Sequence, residues 1–524
     1  KKDLRGEKMT WTVIGEKNDK ILLASKSIVP GILPKGAYLT VEDGETKFIL
    51  RVDDSQQLES YSPSPMIIDM DLSPLSQDQK CQNMISAYRV KDLSNREDGL
   101  IDYIKPQLSA RRSTQEEVDL ALGGNKEGPK VFLATVHSSQ NQLLIDEKNK
   151  FITVNLPIDT FFHQILICGK TGSGKTVGIK YLSQYFLEKL NGAVLAVNVK
   201  ESDLLRMNHP SEEKNAKELE ALEETAHGID NFMVYYPANA EITHTKKVDE
   251  AYTKKITLNV KEIEPESLTG LLQNISDIGA QSLPSIFRAW QEEQKESRDD
   301  KEFKFNNFVK YFSRGIDDKC RFRTLNERGD EDEVTLHRGT FENIKRSLNI
   351  AMLFFDNEEA ECLTDEDILQ SGKMSVIDVA VTNGRQFGAI LLRDLLHKIV
   401  AAKNEGKTDI PILIIIDEVH SFYNTDALEN ALGDLDTICR TGRSQKIGVI
   451  FASQNPTDIP SGLSSVINTK IFFKTDAHLA KTHGVIVSPQ EMEGLKAGFA
   501  TVSIHDMPQV KIVKFPMAFA GVFK

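Results

Sequence analysis

The chain is expected to be an α/β protein. A mainly parallel sheet, covered on both faces by helices, carries a helical insertion and follows a small β-rich domain. Three observations predict this. Apolar runs at 164–168, 193–199, 411–418 and 447–454 alternate with helical stretches, the pattern of strands buried on both faces. Residues 1–155 instead carry short β-like runs punctuated by turn signals. A glycine-rich turn joins the strand at 164–168 to a helical stretch at 177–190.

Composition sets outer bounds. At 524 residues the chain calls for two or more domains. Hydrophobic residues at 40% and charged residues at 27% describe a globular protein. No apolar run reaches the ~20 residues that cross a bilayer, so no membrane partner is expected. The opening Lys1-Lys2-Asp3-Leu4-Arg5 lacks the apolar core of a secretory signal. Five cysteines, at 81, 168, 320, 362 and 439, have no metal-ligand spacing and suit a reducing cytoplasm. The net charge of −13 argues against a protein that coats polyanions nonspecifically. A narrow basic channel for nucleic acid remains compatible with it, because the field there is local.

In the first domain, strands are expected at 11–14, 20–24, 37–41, 47–52 and 66–70, the spacing of a small barrel or sandwich. A connector at 98–124 holds Ser113-Thr114-Gln115-Glu116, a capping box that opens a helix at 114–122. Strand patterns return at 131–136 and 151–156. Beyond the glycine-rich turn, 193–199, 232–236 and 255–260 read as strands, and glutamate-rich 211–225 as a solvated helix. Residues 264–370 form the helical insertion, anchored by apolar clusters at 268–272, 283–294, 303–312 and 341–355. Strands at 373–380, 411–418, 447–454, 469–473 and 499–505, with an amphipathic helix at 386–404, complete the sheet. The expected division is 1–155 for the β-domain and connector, and 156–524 for the α/β domain.

The glycine-rich turn is Gly169-Lys170-Thr171-Gly172-Ser173-Gly174-Lys175-Thr176, which fits G-x-x-x-x-G-K-S/T. Glycines admit phosphate oxygens close to the backbone, and the N–H groups of the turn and helix start, through Val177, point at the negative charge. Lys175 neutralises the β- and γ-phosphates, and the Thr176 hydroxyl suits Mg²⁺. The competing reading is a chance glycine turn, which the strand–loop–helix context disfavours.

A triphosphate bound there needs acids at a neighbouring strand end. The run Ile412-Leu413-Ile414-Ile415-Ile416-Asp417-Glu418 supplies them. Asp417 would hold the Mg²⁺ shell and Glu418 would activate the attacking water. Otherwise the two acids merely close a strand at the surface. Gln454, ending the strand from 447, would sense the γ-phosphate, or simply be a polar terminus. Arg440 and Arg443 would complete a neighbouring subunit's site, or sit at a helix C-terminus against its dipole. His420 reads as a hydrogen-bonding residue, and His163 as fixing the entrance to the α/β domain.

These residues together resemble a known family. The runs 163–176, Ile415-Ile416-Asp417-Glu418-Val419-His420, 440–456, 458–460, 467–473 and 372–378 are similar to the HerA-type ATPases, of the HerA/FtsK group of RecA-like DNA-pumping motors. The resemblance covers most of 156–524. It implies a RecA-like P-loop core, an N-terminal β-barrel of the HAS-barrel kind, and a hexameric ring. ATP would lie at subunit boundaries and double-stranded DNA in the pore. It places Lys175 and Thr176 on the nucleotide lysine and Mg²⁺ hydroxyl, Asp417 and Glu418 on the Mg²⁺ and catalytic acids, and Gln454 on the γ-phosphate sensor. Arg440 or Arg443 takes the trans arginine position, Arg440 being favoured. One stretch departs: the family's acidic Asp-x-x-Gly-Glu-Tyr-like run reads Asn198-Val199-Lys200-Glu201-Ser202-Asp203 here, which points to a divergent bacterial branch.

Family members work with a nuclease. Divergent ones pair with nucleases or sirtuin-like NAD hydrolases in antiviral defence. The expectation is therefore a cytoplasmic, ATP- and Mg²⁺-dependent hexameric translocase whose barrel docks an effector protein. The alternatives are an ATP-switched scaffold that activates a partner with little DNA movement, and a membrane-associated conjugation or secretion motor. Basic clusters at Arg111-Arg112, Lys246-Lys247, Lys254-Lys255 and Arg321/Arg323 would line a DNA channel or simply be solvated surface.

Overall fold

The computed structural model describes residues 11–26, 33–59, 81–93, 101–123, 127–137, 140–200, 204–212, 216–240, 248–272, 282–297, 303–315, 320–381, 383–423, 434–459 and 465–523. The expected strand at 66–70 and the Lys246-Lys247 cluster lie outside these residues. The chain divides into two compact units. The first comprises 1–157, 476–478 and 486–516; the second comprises 158–475, 479–485 and 517–524. The segments 476–478 and 486–516 thus group with the first unit, whereas the sequence places all of 156–524 together.

The first unit is built on a closed antiparallel barrel. Its strands are β1 (Trp11–Lys17), β2 (Lys20–Lys26), β3 (Tyr38–Asp43), β4 (Thr46–Glu59), β5 (Cys81–Leu93) and β6 (Ser109–Arg112), in the order β1-β2-β5-β4-β3-β6. Alternation puts Trp11, Val13, Ile21, Leu23, Leu39, Val41, Phe48 and Leu50 inside. Closure removes the sheet edges. Helix α1 (Gln115–Leu122) follows, capped by Thr114 with Glu117 returning to the Thr114 N–H. The cap is one residue later than the sequence spacing suggested. Ser113 is buried and its hydroxyl is bonded to Thr40 at 2.9 Å, so Thr114 caps instead. Strands β7 (Lys130–His137), β8 (Gln140–Leu143) and β9 (Thr153–Asn155) and the hairpin 499–503/512–514 complete this unit.

The second unit carries a parallel sheet. Its strands are β10 (Ile165–Cys168), β11 (Ala193–Asn198), β12 (Phe232–Pro237), β13 (Thr253–Thr257), β16 (Glu361–Cys362), β17 (Met374–Asp378), β18 (Ile412–Asp417), β19 (Ile447–Ser453) and β20 (Thr469–Phe473). The order is β16-β13-β12-β17-β11-β18-β19-β10-β20, every neighbour parallel. Buried residues run the full length of β10, β11, β18 and β19, as two-faced coverage demands. Helix α2 (Lys175–Lys189) packs on this sheet. The glutamate-rich segment forms helix only at Ala216–Glu220 among the described residues, because its few apolar side chains give it little to bury.

The insertion is helical, with α3 (Leu283–Ser297), α4 (Phe305–Arg314) and α5 (Arg338–Ala351). It also contains a hairpin absent from the sequence reading, β14 (Arg321–Leu325) with β15 (Glu331–Thr335). Its one deeply buried aromatic, Phe322, stacks 4.7 Å from Phe312 of α4. Exposed charges dominate the rest of the hairpin and hide its strand pattern. Two later helices complete the unit, α6 (Gly384–Asn404) and α7 (Asp434–Gln445).

Candidate nucleotide site

The parallel order places β19 between β10 and β18, with β11 beyond β18. Register aligns their carboxyl ends: Cys168 lies opposite Ser453, Asp417 opposite Ala452, and Val197 opposite Ile416. Residues at four strand ends are therefore brought to one cleft, the usual ligand position in such sheets.

The loop from Gly169 to Gly174 bends because Gly172 and Gly174 take φ of +78° and +100°, left-handed values that favour glycine. Gly169 is needed for space. A Cβ there would stand 2.5 Å from Ser173 Oγ and 2.7 Å from Phe473 Cβ. Gly174 caps α2 with no side-chain hydrogen bond, and no acid occupies the first turn. The amides of Lys175, Thr176 and Val177 thus open the helix without a side-chain cap. Ser173 Oγ is buried with no hydrogen-bond partner. Thr171 is exposed at the rim. An uncapped helix start, an unsatisfied buried hydroxyl and glycine turns fit a phosphate group.

Lys175 is buried, and its Nζ donates to Asp417 Oδ1 at 2.9 Å and lies 3.8 Å from Glu418 Oε1. Both acids are buried too. Glu418 takes φ +50° after the end of β18, a strained conformation for a side chain of this size. Its Oε1 accepts from Gln454 Nε2 at 3.1 Å and from Lys200 Nζ at 2.7 Å. Burial raises its pKa, but the Lys200 hydrogen bond and the charges of Lys175 and Lys200 outweigh this and hold it below the ordinary carboxylate value. Gln454 Oε1 faces the Thr171 hydroxyl at 3.5 Å. Thr176 is half-buried one residue into α2. Its hydroxyl and Asp417 are the oxygen donors suited to Mg²⁺.

Lys175, Asp417, Glu418 and Gln454 meet in this cleft. Lys200 also belongs to it, though the sequence reading gave it no role; a lysine two residues past a buried strand that neighbours the Asp417 strand was the available signal. His420 Nδ1 lies 3.5 Å from Asp458 and 3.8 Å from Glu418. The two arginines lie on α7. Arg443 pairs with Asp159 of its own chain at 3.1 Å, both side chains exposed, and Arg440 is exposed. His163 lies at the foot of β10, where its carbonyl accepts from the Asn468 N–H.

In each described basic cluster at least one cation is paired with an acid. Arg111 bonds to Glu117 and Glu42, Lys254 to Glu361, Arg321 to Glu333, and Arg323 to Glu293 and Glu331. Free cysteines at 168, 320, 362 and 439 form no metal cluster among the described residues. No helix among them is long and apolar enough to cross a membrane.

Two family models match the chain. "Helicase HerA, central domain" matches residues 142–399, and "Helicase HerA-like C-terminal" matches 360–493. A DNA double-strand break repair helicase HerA from Saccharolobus solfataricus is 22% identical over 409 residues, 73% of this chain and 69% of that protein. The protein of the same description from Sulfurisphaera tokodaii is 29% identical over 171 residues. That match spans 30% of this chain and only about a third, 34%, of the relative. Among solved structures, the bacterial conjugative coupling protein TrwB is similar at a TM-score of 0.46 and 13% identity, covering 78% of this chain and 92% of that one.

Proposed function

This chain belongs to the HerA-type ATPases, whose two domain models together span residues 142–493, and from that premise we propose that it is an ATP-hydrolysing DNA translocase of the helicase type. The observation that carries the reading is the convergence of Lys175, Asp417, Glu418 and Gln454 on one cleft beside an uncapped helix start.

In this reading, ATP lies in the loop 169–176 with its phosphates on the amides of Gly172 to Val177. Lys175 exchanges Asp417 for the β- and γ-phosphates. Thr176 and Asp417 hold Mg²⁺, which neutralises charge on the phosphate oxygens. Glu418 accepts a proton from the attacking water, and Gln454 orients that water. The chain assembles as a hexameric ring, in which an α7 arginine of one subunit completes its neighbour's site. Arg440 or Arg443 takes that role, and for Arg443 it means leaving Asp159 of its own chain. Double-stranded DNA would pass through the ring. The barrel would dock an effector, a nuclease or a sirtuin-like NAD hydrolase, in antiviral defence or DNA processing.

The test is ATP turnover and native mass of the pure protein, with and without duplex DNA. DNA-stimulated turnover by a hexamer supports the motor. DNA-indifferent turnover that responds only to a partner protein would replace it with an ATP-switched scaffold.

A further inference from the structure

Lys200 is the cation of the cleft that the nucleotide reading leaves unused. Its backbone is anchored by a buried side chain. Asn198, buried at the end of β11, donates through Nδ2 to the Lys200 carbonyl at 2.7 Å and to Asp378 Oδ1 at 3.0 Å. Asn198 Oδ1 accepts from the Leu204 N–H at 3.3 Å. One buried amide thus bonds to the backbone of both Lys200 and Leu204. From that anchor Lys200 Nζ reaches Glu418 Oε1 at 2.7 Å and lies 4.0 Å from Asp417 Oδ2.

The target is equally constrained. Glu418 sits at φ +50°, in the left-handed region just after β18. Oε1 accepts two hydrogen bonds, from Lys200 and Gln454. These occupy the directions from which a water would donate to that oxygen. Oε2 has His420 Nδ1 at 3.8 Å.

We propose that Lys200 is a positioning residue that keeps Glu418 Oε1 from acting as proton acceptor, so that hydrolysis through that oxygen requires the Lys200–Glu418 pair to open. This rests on the reading of Glu418 as the acid that activates water. In the step it restrains, the water oxygen bonds to the γ-phosphorus and the water proton passes to the Glu418 carboxylate. The bond from that phosphorus to the bridging oxygen breaks, and ADP leaves with the electron pair. Lys200 keeps its own protons throughout.

Single-turnover hydrolysis of Mg·ATP by the full chain tests this with four variants. Lys200→Met should speed the chemical step about three- to tenfold, the scale of one partly exposed charge-assisted hydrogen bond. Lys200→Arg, which keeps a cation there, should bring the rate back toward wild type. Glu418→Gln should be nearly inactive, and the double variant Lys200→Met/Glu418→Gln equally so, because the gain must act through Glu418. If Lys200→Met is no faster than wild type while Glu418→Gln is inactive, the restraint is wrong and the base assignment stands. If the acceleration survives in the double variant, Lys200 acts by another route and the restraint is again wrong. If Glu418→Gln hydrolyses at the wild-type rate, the base assignment fails and the restraint falls with it.

Discussion

Lys175 and Asp417, 242 positions apart in sequence, form a buried ion pair at 2.9 Å. The pair satisfies two charges that would be costly alone in the interior. In the proposed nucleotide site, the phosphates would have to take this ammonium from Asp417. Lys175→Met should therefore lower affinity for ATP and ADP at least tenfold. Asp417→Asn should keep nucleotide binding in chelator but lose its enhancement by Mg²⁺. Titration with a fluorescent nucleotide, with and without Mg²⁺, reads both. Unchanged affinity in Lys175→Met would remove this lysine from the phosphate site.

Glu418→Gln keeps the shape of the side chain and one acceptor oxygen but removes its negative charge. The expected phenotype is ATP that binds and stays, with turnover lowered by roughly 10²-fold or more, as for loss of a general base. Filter retention of radiolabelled ATP after a long chase reports the trapped state. Rapid conversion to ADP would move the base elsewhere.

Gly169 tests the loop by volume alone. In Gly169→Ala the new methyl would meet Ser173 Oγ and Phe473 Cβ at 2.5 and 2.7 Å. Overpacking of this kind costs about 1–3 kcal/mol, and the displaced loop should weaken nucleotide binding as well. Gly15→Ala, with nothing within 4 Å, is the matched control and should change neither. Thermal unfolding with and without ATP separates the two effects.

The barrel unit carries a pH-dependent staple. Burial raises the pKa of Glu117, but hydrogen bonds from Arg111, the Thr114 amide and Thr40 overcome this and lower it from 4.5 to about 2. A folded-state value below the unfolded one means stability that is complete above about 4.5 and lost as pH falls through about 2. The shift corresponds to an order of 3 kcal/mol at neutral pH. Glu117→Gln should lower the unfolding midpoint of this unit at pH 7, and the gap to wild type should narrow as pH falls below about 4.5 and close near about 2. A gap that is flat with pH would show that packing, not charge, holds the site.

Arg440 and Arg443 separate in mixed assemblies. If Arg440 serves a neighbour's site, Arg440→Ala subunits titrated into wild type should depress turnover faster than their mole fraction. Arg443→Ala subunits should depress it in proportion or less. The opposite order would exchange the two roles.

Much of the fold was readable because its signals are local. Continuous apolar runs mark strands with two covered faces, and turn spacing announced a small β-domain that the structure closes as a barrel. The hairpin at 321–335 was not readable, since Phe322 is its one deeply buried aromatic and solvent-facing charges cover the rest. The sequence spacing also misplaced a helix cap by one residue, because Ser113 is drawn away by Thr40, distant along the chain.

For the site, residue types and spacing alone named Lys175, Thr176, Asp417, Glu418 and Gln454 as candidates, because glycine turns and strand-end acids are written in contiguous residues. What tertiary structure decided was company. Strand order set β19 between the phosphate-loop strand and the acid strand, and parallel register brought Gln454 to Glu418. It also delivered Lys200, from the stretch that departs from the family's acidic run, onto the same carboxylate. No local pattern encodes such meetings, since they depend on which strands pair, and pairing is settled by burial across the whole sheet.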